Sequence, residues 1–324
     1  MSKAIMVEEF GGPEQMKWCD VELAEPGAGE VRVRHTAVGL NFIDTYHRSG
    51  LYPLELPAGL GTEAAGVVEA VGPGVTGLAP GERVAWLGLP PGTYAEARNY
   101  PADRLVSLPD GIDDRTAAAS LLKGLTAWYL LHRSYPVKPG DSVLLYAAAG
   151  GVGQIAAQWG KNLGARMIGV VGNEEKARIA RKRGCADVVL SNAEDFVGEV
   201  RALTGGEGVA GVYDSVGRDT FIQSLDCLRP HGTMVSYGNA TGPVDPFSPM
   251  ELAKRGSLFL TRPAVFDFIR TREELLTATG ELFAAILSGA FEVQVNQTYP
   301  LAEAAQAHRD LEARRTTGST LLLP

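Results

Sequence analysis

The stretch Val143-Leu144-Leu145-Tyr146-Ala147-Ala148-Ala149-Gly150-Gly151-Val152-Gly153 decides the fold. A short apolar run meets a glycine cluster, and the residues that follow are apolar at helical spacing: Val152, Ile155, Ala156, Trp159 and Leu163. This reads as a strand, a tight turn and the opening of an amphipathic helix.

The glycines have a steric and an electrostatic reason. Without side chains, the backbone can approach a pyrophosphate, whose charge is stabilised by free N–H groups and by the positive end of the helix. Gly153 lets the helix pack closely on the sheet. Positions 148, 150 and 153 follow the G-x-G-x-x-G pattern, with Ala148 where the first glycine is usual. That change is tolerable if Ala148 keeps a negative φ. The stretch therefore predicts a dinucleotide site rather than a packing turn.

Outward from this unit, further strands are predicted at 143–147, 167–171, 188–190, 211–214 and 233–237, separated by helix-like segments. Asn173 and Asp219 stand where helix N-caps are expected. This block is an α/β layer with a mostly parallel, doubly wound sheet of Rossmann type. Upstream, residues 31–106 are rich in glycine, proline and alternating runs and read as a compact β domain. Helices are predicted at 113–131 and 271–287. Leu321-Leu322-Leu323 reads as a strand returning to the first domain.

A cofactor lacking a 2′-phosphate is usually marked by a carboxylate at the tip of the second strand. Here the tip is Val170-Val171-Gly172-Asn173, and Lys176 follows within the first helical turn. Missing acid and nearby base together favour NADPH over NADH, with Lys176 on the phosphate. Arg178, Arg181, Lys182 and Arg183 read as a solvated basic face, and Glu174 and Glu175 are expected to point away.

Composition bounds the remaining possibilities. The chain has 324 residues, a net charge of −8, 45% hydrophobic and 21% charged residues, as expected for a soluble globular protein of two domains. The acidic balance argues against a nucleic-acid partner. No long apolar run predicts a signal peptide or a membrane span. Three scattered cysteines, Cys19, Cys185 and Cys227, suggest neither disulfides nor a metal site, so a cytoplasmic location is expected. His35, His47, His132, His231 and His308 show no metal-ligand spacing.

With the glycine loop, Leu121-Leu122-Lys123-Gly124-Leu125-Thr126-Ala127, Tyr213-Asp214-Ser215-Val216-Gly217 and Asn41-Phe42-Ile43-Asp44 in view, the chain resembles the quinone oxidoreductases. These are the NADPH:quinone reductases of the zeta-crystallin-like, zinc-free branch of the medium-chain dehydrogenase/reductase superfamily. The resemblance runs along the whole length. It implies a GroES-like catalytic domain in residues 1–124, a Rossmann NADPH-binding domain in 125–264, a return to the catalytic domain in 265–324, and a homodimer. The dimer is expected to pair the strand at 258–261 across a two-fold axis.

The resemblance also carries residue assignments. Asn41 and Tyr46 fall beside the nicotinamide, and Gly150, Gly151, Val152, Gly153, Gly172 and Lys176 along the cofactor. Tyr129, Tyr237, Gly238 and Asn239 fall around the interdomain cleft, and Arg314 near the 2′-phosphate. Ser191 departs from relatives that carry a tyrosine there, although a serine hydroxyl still donates to phosphate. Zinc-dependent relatives have a cysteine at Asn41 and a histidine at Thr62, and an amide and a hydroxyl are poor zinc ligands.

The reaction implied is transfer of a hydride, or an electron, to a quinone, with the Asn41 amide and Tyr46 hydroxyl orienting ring and carbonyl. Tyr52 stands behind Tyr46, and Arg262 is assigned to the cleft. From residue type alone, Asn41 equally suits a turn cap, Tyr46 with Tyr52 equally suits aromatic packing, and Arg262 also suits a dimer-surface cation. Two other activities fit the same motifs: reduction of an activated C=C bond in an alkenal or enone, and a non-catalytic, cofactor-holding crystallin or RNA-binding role.

Overall fold

The computed structural model describes residues 2–324. The chain divides into two compact units, Met1–Leu122 with Ile269–Leu287 and Val293–Pro324, and Lys123–Phe268 with Ser288–Glu292.

The second unit is built on six strands, in spatial order Asp187–Leu190, Arg166–Val171, Ser142–Tyr146, Val209–Asp214, Leu228–Ser236 and Phe259–Thr261. Every neighbouring pair is parallel. Numbered along the chain the order is 3-2-1-4-5-6, the doubly wound arrangement. A parallel sheet covered by helices buries both faces, which is why these strands are near-continuous apolar runs. Leu144, Ile168, Val170, Val212 and Met234 lie in one core at 1% exposure or less.

All five predicted strands of this sheet are present. The cap expected at Asp219 is corrected by one residue: the helix Phe221–Asp226 starts after Thr220. The side chain of Thr220 is drawn inward to Asp214 Oδ2 at 2.7 Å. The expected apolar stripe is also widened. Ile155, Ala156 and Trp159 are buried, Val152 and Leu163 only half-buried, and Gly153, Gln154, Ala157 and Gly160 are buried as well.

The first unit wraps antiparallel strands around its own core. The long strand Glu30–Leu40 is central, pairing with Glu63–Val71, Ala97–Pro101 and the C-terminal strand Ser319–Leu323. The terminus therefore does return to this sheet, beside Val295–Pro300. Val33, Val38, Leu60, Trp86, Tyr94 and Leu322 fill the interior. The helix Phe42–Ser49 follows the central strand directly and ends at Gly50, whose φ of 81° is the left-handed conformation that favours glycine at a helix C-terminus.

Candidate active site

In the second unit, predicted cofactor residues and the cleft residue Arg262 gather at one end of the sheet. Gly150–Gly153 follow the first strand, Gly172 and Lys176 the second, Ser191 the third, Tyr237–Asn239 the fifth and Arg262 the sixth. These are carboxyl ends, and strand order reverses between the first and fourth strands, where ligands bind in sheets of this kind.

The turn is specific. Ala147, not Ala148, adopts the left-handed conformation, with φ of 50°, at a cost of about 1–2 kcal/mol for a residue bearing a Cβ. Ala148 keeps a negative φ, as the substitution requires. Gly150 begins the helix Gly151–Asn162 with no side-chain cap, and the first bonded amide is that of Gln154, to Gly150 O at 2.9 Å. The N–H groups before it have no intrahelical partner and can take a pyrophosphate. A Cβ on Gly153 would fall on the carbonyl oxygen of Ala147 and lie 2.7 Å from Ala148 Cα. Buried Gln154 braces the turn, donating from Nε2 to Ala149 O at 2.8 Å.

At the next tip, nothing lies within 4 Å of where a Gly172 side chain would begin. Asn173 caps the following helix by accepting from Lys176 N at 2.9 Å, and Lys176 is half-buried. The exposed Ser191 donates its backbone N–H to Val171 O at 2.8 Å, which sets it beside this tip. Glu174 and Glu175 are exposed. On the far side of the reversal point, Tyr237 N bonds Asp214 O at 2.8 Å. A Cβ on Gly238 would lie 2.9 Å from Ser215 Cα. Burial pushes the Asp214 carboxyl up, and bonds from Thr220, Val216, Ser224 and Gly217 pull it back. Tyr129 is buried and stacks on Phe268, centroids 4.9 Å apart. Arg262 is exposed and donates to Pro263 O at 2.9 Å.

In the first unit, Asn41 caps the helix Phe42–Ser49 and is 5% exposed. Its N–H donates to Asp44 Oδ2 at 2.8 Å, half of a capping box. Its Nδ2 donates to Glu63 Oε2 at 2.8 Å. Asp44 also accepts from Thr62 Oγ1 and Tyr94 OH, both at 2.9 Å.

This network continues inward. Tyr94 OH lies 3.0 Å from His308 Nε2, and Arg48 Nη1 lies 3.0 Å from His308 Nδ1. Arginine only donates, so Nδ1 accepts and Nε2 carries the proton. That nitrogen donates to Tyr94, whose hydroxyl must then donate to Asp44. Arg48 also pairs with Glu312 at 2.7 Å. Burial, reinforced by Arg48, lowers the His308 pKa to about 3, so the ring is neutral and each donor has one direction. Tyr46 is 9% exposed and meets Tyr52 edge-on at 5.2 Å. Arg314 follows the helix Ala304–Glu312, exposed, with φ of 57°.

Two family models match the chain. One is described as the alcohol dehydrogenase GroES-like domain, over residues 27–110, and the other as zinc-binding dehydrogenase, over residues 151–283. A quinone oxidoreductase of Pseudomonas aeruginosa is 50% identical, with all of both chains covered. The chain belongs to the quinone oxidoreductase family. A 2-haloacrylate reductase of a Burkholderia species is 48% identical over all of this chain and 99% of its own. The structure of the Escherichia coli quinone oxidoreductase complexed with NADPH superposes with a TM-score of 0.97 at 48% identity, covering 99% of this chain and 100% of that one.

One of the matching models is described as zinc-binding dehydrogenase, and an amide and a hydroxyl, as at Asn41 and Thr62, are poor zinc ligands. At the two positions in question, Thr62 donates to Asp44 and Asn41 donates to Glu63, and both carboxylates are taken up by hydrogen bonds. Among the described residues no group of three or more His, Cys, Asp and Glu side chains could hold a metal ion. Nor is any described helix long and apolar enough to cross a membrane.

Sequence reasoning brought Asn41, Tyr46 and Tyr52 together but missed Glu63, Tyr94, Arg48 and His308. The capping-box spacing of Asn41 and Asp44 was a usable signal. No local pattern could link Tyr94 to His308, which are 214 residues apart.

Proposed function

We propose that this protein reduces quinones with NADPH, without zinc. The observation that carries the reading is the full-length 50% identity to a quinone oxidoreductase, in a chain whose Asn41 and Thr62 side chains are engaged with Glu63 and Asp44. Without a Lewis acid, the acceptor must be intrinsically electrophilic or be activated by hydrogen bonds, and a quinone needs little activation.

NADPH supplies the reducing hydride when bound. The glycine turn fits it: the uncapped helix start takes the pyrophosphate, and Gly172, Lys176 and Ser191 form a tip with no carboxylate against the 2′-phosphate. Arg314 is assigned to the same phosphate. Tyr129, Tyr237, Gly238 and Asn239 help to hold the cofactor. Asn41 and Tyr46 orient the reacting ring, the Tyr46 hydroxyl donating to a quinone oxygen, while Tyr52 holds Tyr46 by its edge-on contact. Arg262 is assigned to substrate.

Replacing Tyr46 by Phe and Asn41 by Ala tests this. Each is expected to lower quinone turnover about tenfold, the worth of one hydrogen bond, with NADPH affinity changed less. Unaltered turnover removes them from the mechanism. A second reading, reduction of an activated C=C bond, is supported by the haloacrylate reductase relative. A homodimer is supported by the edge strand Phe259–Thr261, where Phe259 is 61% exposed. A monomer by light scattering refutes it. Three free cysteines suit a reducing cytoplasm.

A further inference from the structure

One buried acid of the second unit has no part in the scheme so far. Asp214 ends the strand Val209–Asp214, where strand order reverses, and is wholly buried. Its Oδ1 accepts from Val216 N at 2.7 Å and Gly217 N at 3.2 Å, and its Oδ2 from Thr220 Oγ1 at 2.7 Å and Ser224 Oγ at 2.9 Å. Four donors on two oxygens is the pattern of an ionised carboxylate, and it fixes the group in place. All four donors are neutral, and no cation is among the groups acting most strongly on Asp214. Arg218, four residues on, is half exposed and turns to Asp245 at 3.9 Å.

A buried charge without a cation is costly, and such groups collect at functional sites. The surroundings set this one at the carboxyl ends of the central strands. Tyr237 N donates to Asp214 O at 2.8 Å and Ala240 N to Ser215 O at 3.2 Å, so the segments that follow the fourth and fifth strands meet beside it. The neighbouring first strand, paired through Leu145 and Tyr213, leads into the glycine turn.

We propose that Asp214 is an electrostatic residue of the cofactor site, whose fixed negative charge favours the oxidised, positively charged nicotinamide over an uncharged ring. The inference rests on the reading that the nicotinamide lies at this reversal point. Loss of hydride, with both electrons of its bond, turns a neutral dihydronicotinamide into a cation, so the same charge favours donation to an acceptor. The carboxylate is already held by its four hydrogen bonds and need not reorganise when the charge of the ring changes.

Binding without turnover tests this, by calorimetry on the full chain. The probes are NADP+ and its benzamide analogue, in which carbon replaces the charged ring nitrogen, so that the flat ring is kept and its charge removed. The wild type is expected to bind NADP+ about tenfold more tightly, the order of effect of one unit charge across an interior of effective dielectric constant about 20. Asp214→Asn removes the charge and is expected to abolish the preference. Ser224→Ala removes one of the four donors but leaves the carboxylate, and is expected to keep it. A role in packing alone would weaken both ligands together and leave their ratio unmoved.

Should Asp214→Asn fail to fold, the wild-type pair still decides. Equal wild-type affinities, a preference that survives in Asp214→Asn, or one lost in Ser224→Ala would each overturn the proposal and leave the quinone reading standing. Failure of quinone turnover with the preference intact would count against that reading alone.

Discussion

Three buried histidines make acid stability the sharpest test of the first unit. His35, His47 and His308 are 2%, 3% and 0% exposed, and burial lowers their pKa values to about 4, about 4 and about 3. The unfolded chain protonates each near 6.5, so as pH falls it takes up protons that the folded state refuses. Stability is therefore complete above about pH 7 and declines as pH falls, saturating only near the folded-state values. At pH 5 each histidine removes about 2 kcal/mol, together about 6 kcal/mol, on a total stability of about 5–15 kcal/mol. Urea unfolding between pH 8 and pH 5, followed by fluorescence, should show midpoints falling with an unchanged m-value. His308→Gln retains a donor for Tyr94 and an acceptor for Arg48 without titrating, and should remove about a third of the decline. A midpoint at pH 5 equal to that at pH 8 would refute the burial argument, and an unchanged slope in His308→Gln would refute the assignment of its proton.

Other outcomes follow from the second unit. Gly153→Ala sets its methyl against backbone at Ala147 and Ala148, which cannot yield as a side chain would. It should cost about 1–3 kcal/mol of stability in thermal unfolding and weaken NADPH binding by calorimetry. Wild-type binding in a folded variant would show that the turn tolerates the displacement. Lys176→Ala should raise the KM for NADPH about tenfold and leave that for NADH nearly unchanged, and an equal effect on both would remove Lys176 from the phosphate.

The parts of the molecule legible in the sequence are those set by local periodicity. The strand and helix around Gly150 declare themselves because the parallel sheet demands continuous apolar runs and the close approach demands glycine. Ala148 keeps the negative φ that its place in the pattern requires, whereas the left-handed φ falls on Ala147, and nothing about an alanine announces it. Thr220, not Asp219, stands at the cap position without a side-chain cap, because its hydroxyl is held by buried Asp214, a tertiary demand. Asn41 suited either a cap or a site residue, and it does cap its helix while its side chain turns to Glu63. The chain from Asp44 through Tyr94 and His308 to Arg48 joins distant segments by side chains alone. Only the folded sheet brings them within reach.

The central claim is most directly tested by steady-state oxidation of NADPH and NADH against a panel of quinones, enones and a 2-haloacrylate, with metal content determined on the same sample. The account predicts oxidation that depends on added quinone, prefers NADPH and needs no zinc. Oxidation driven by the haloacrylate or enone but not by any quinone, or lost when zinc is removed, would contradict it.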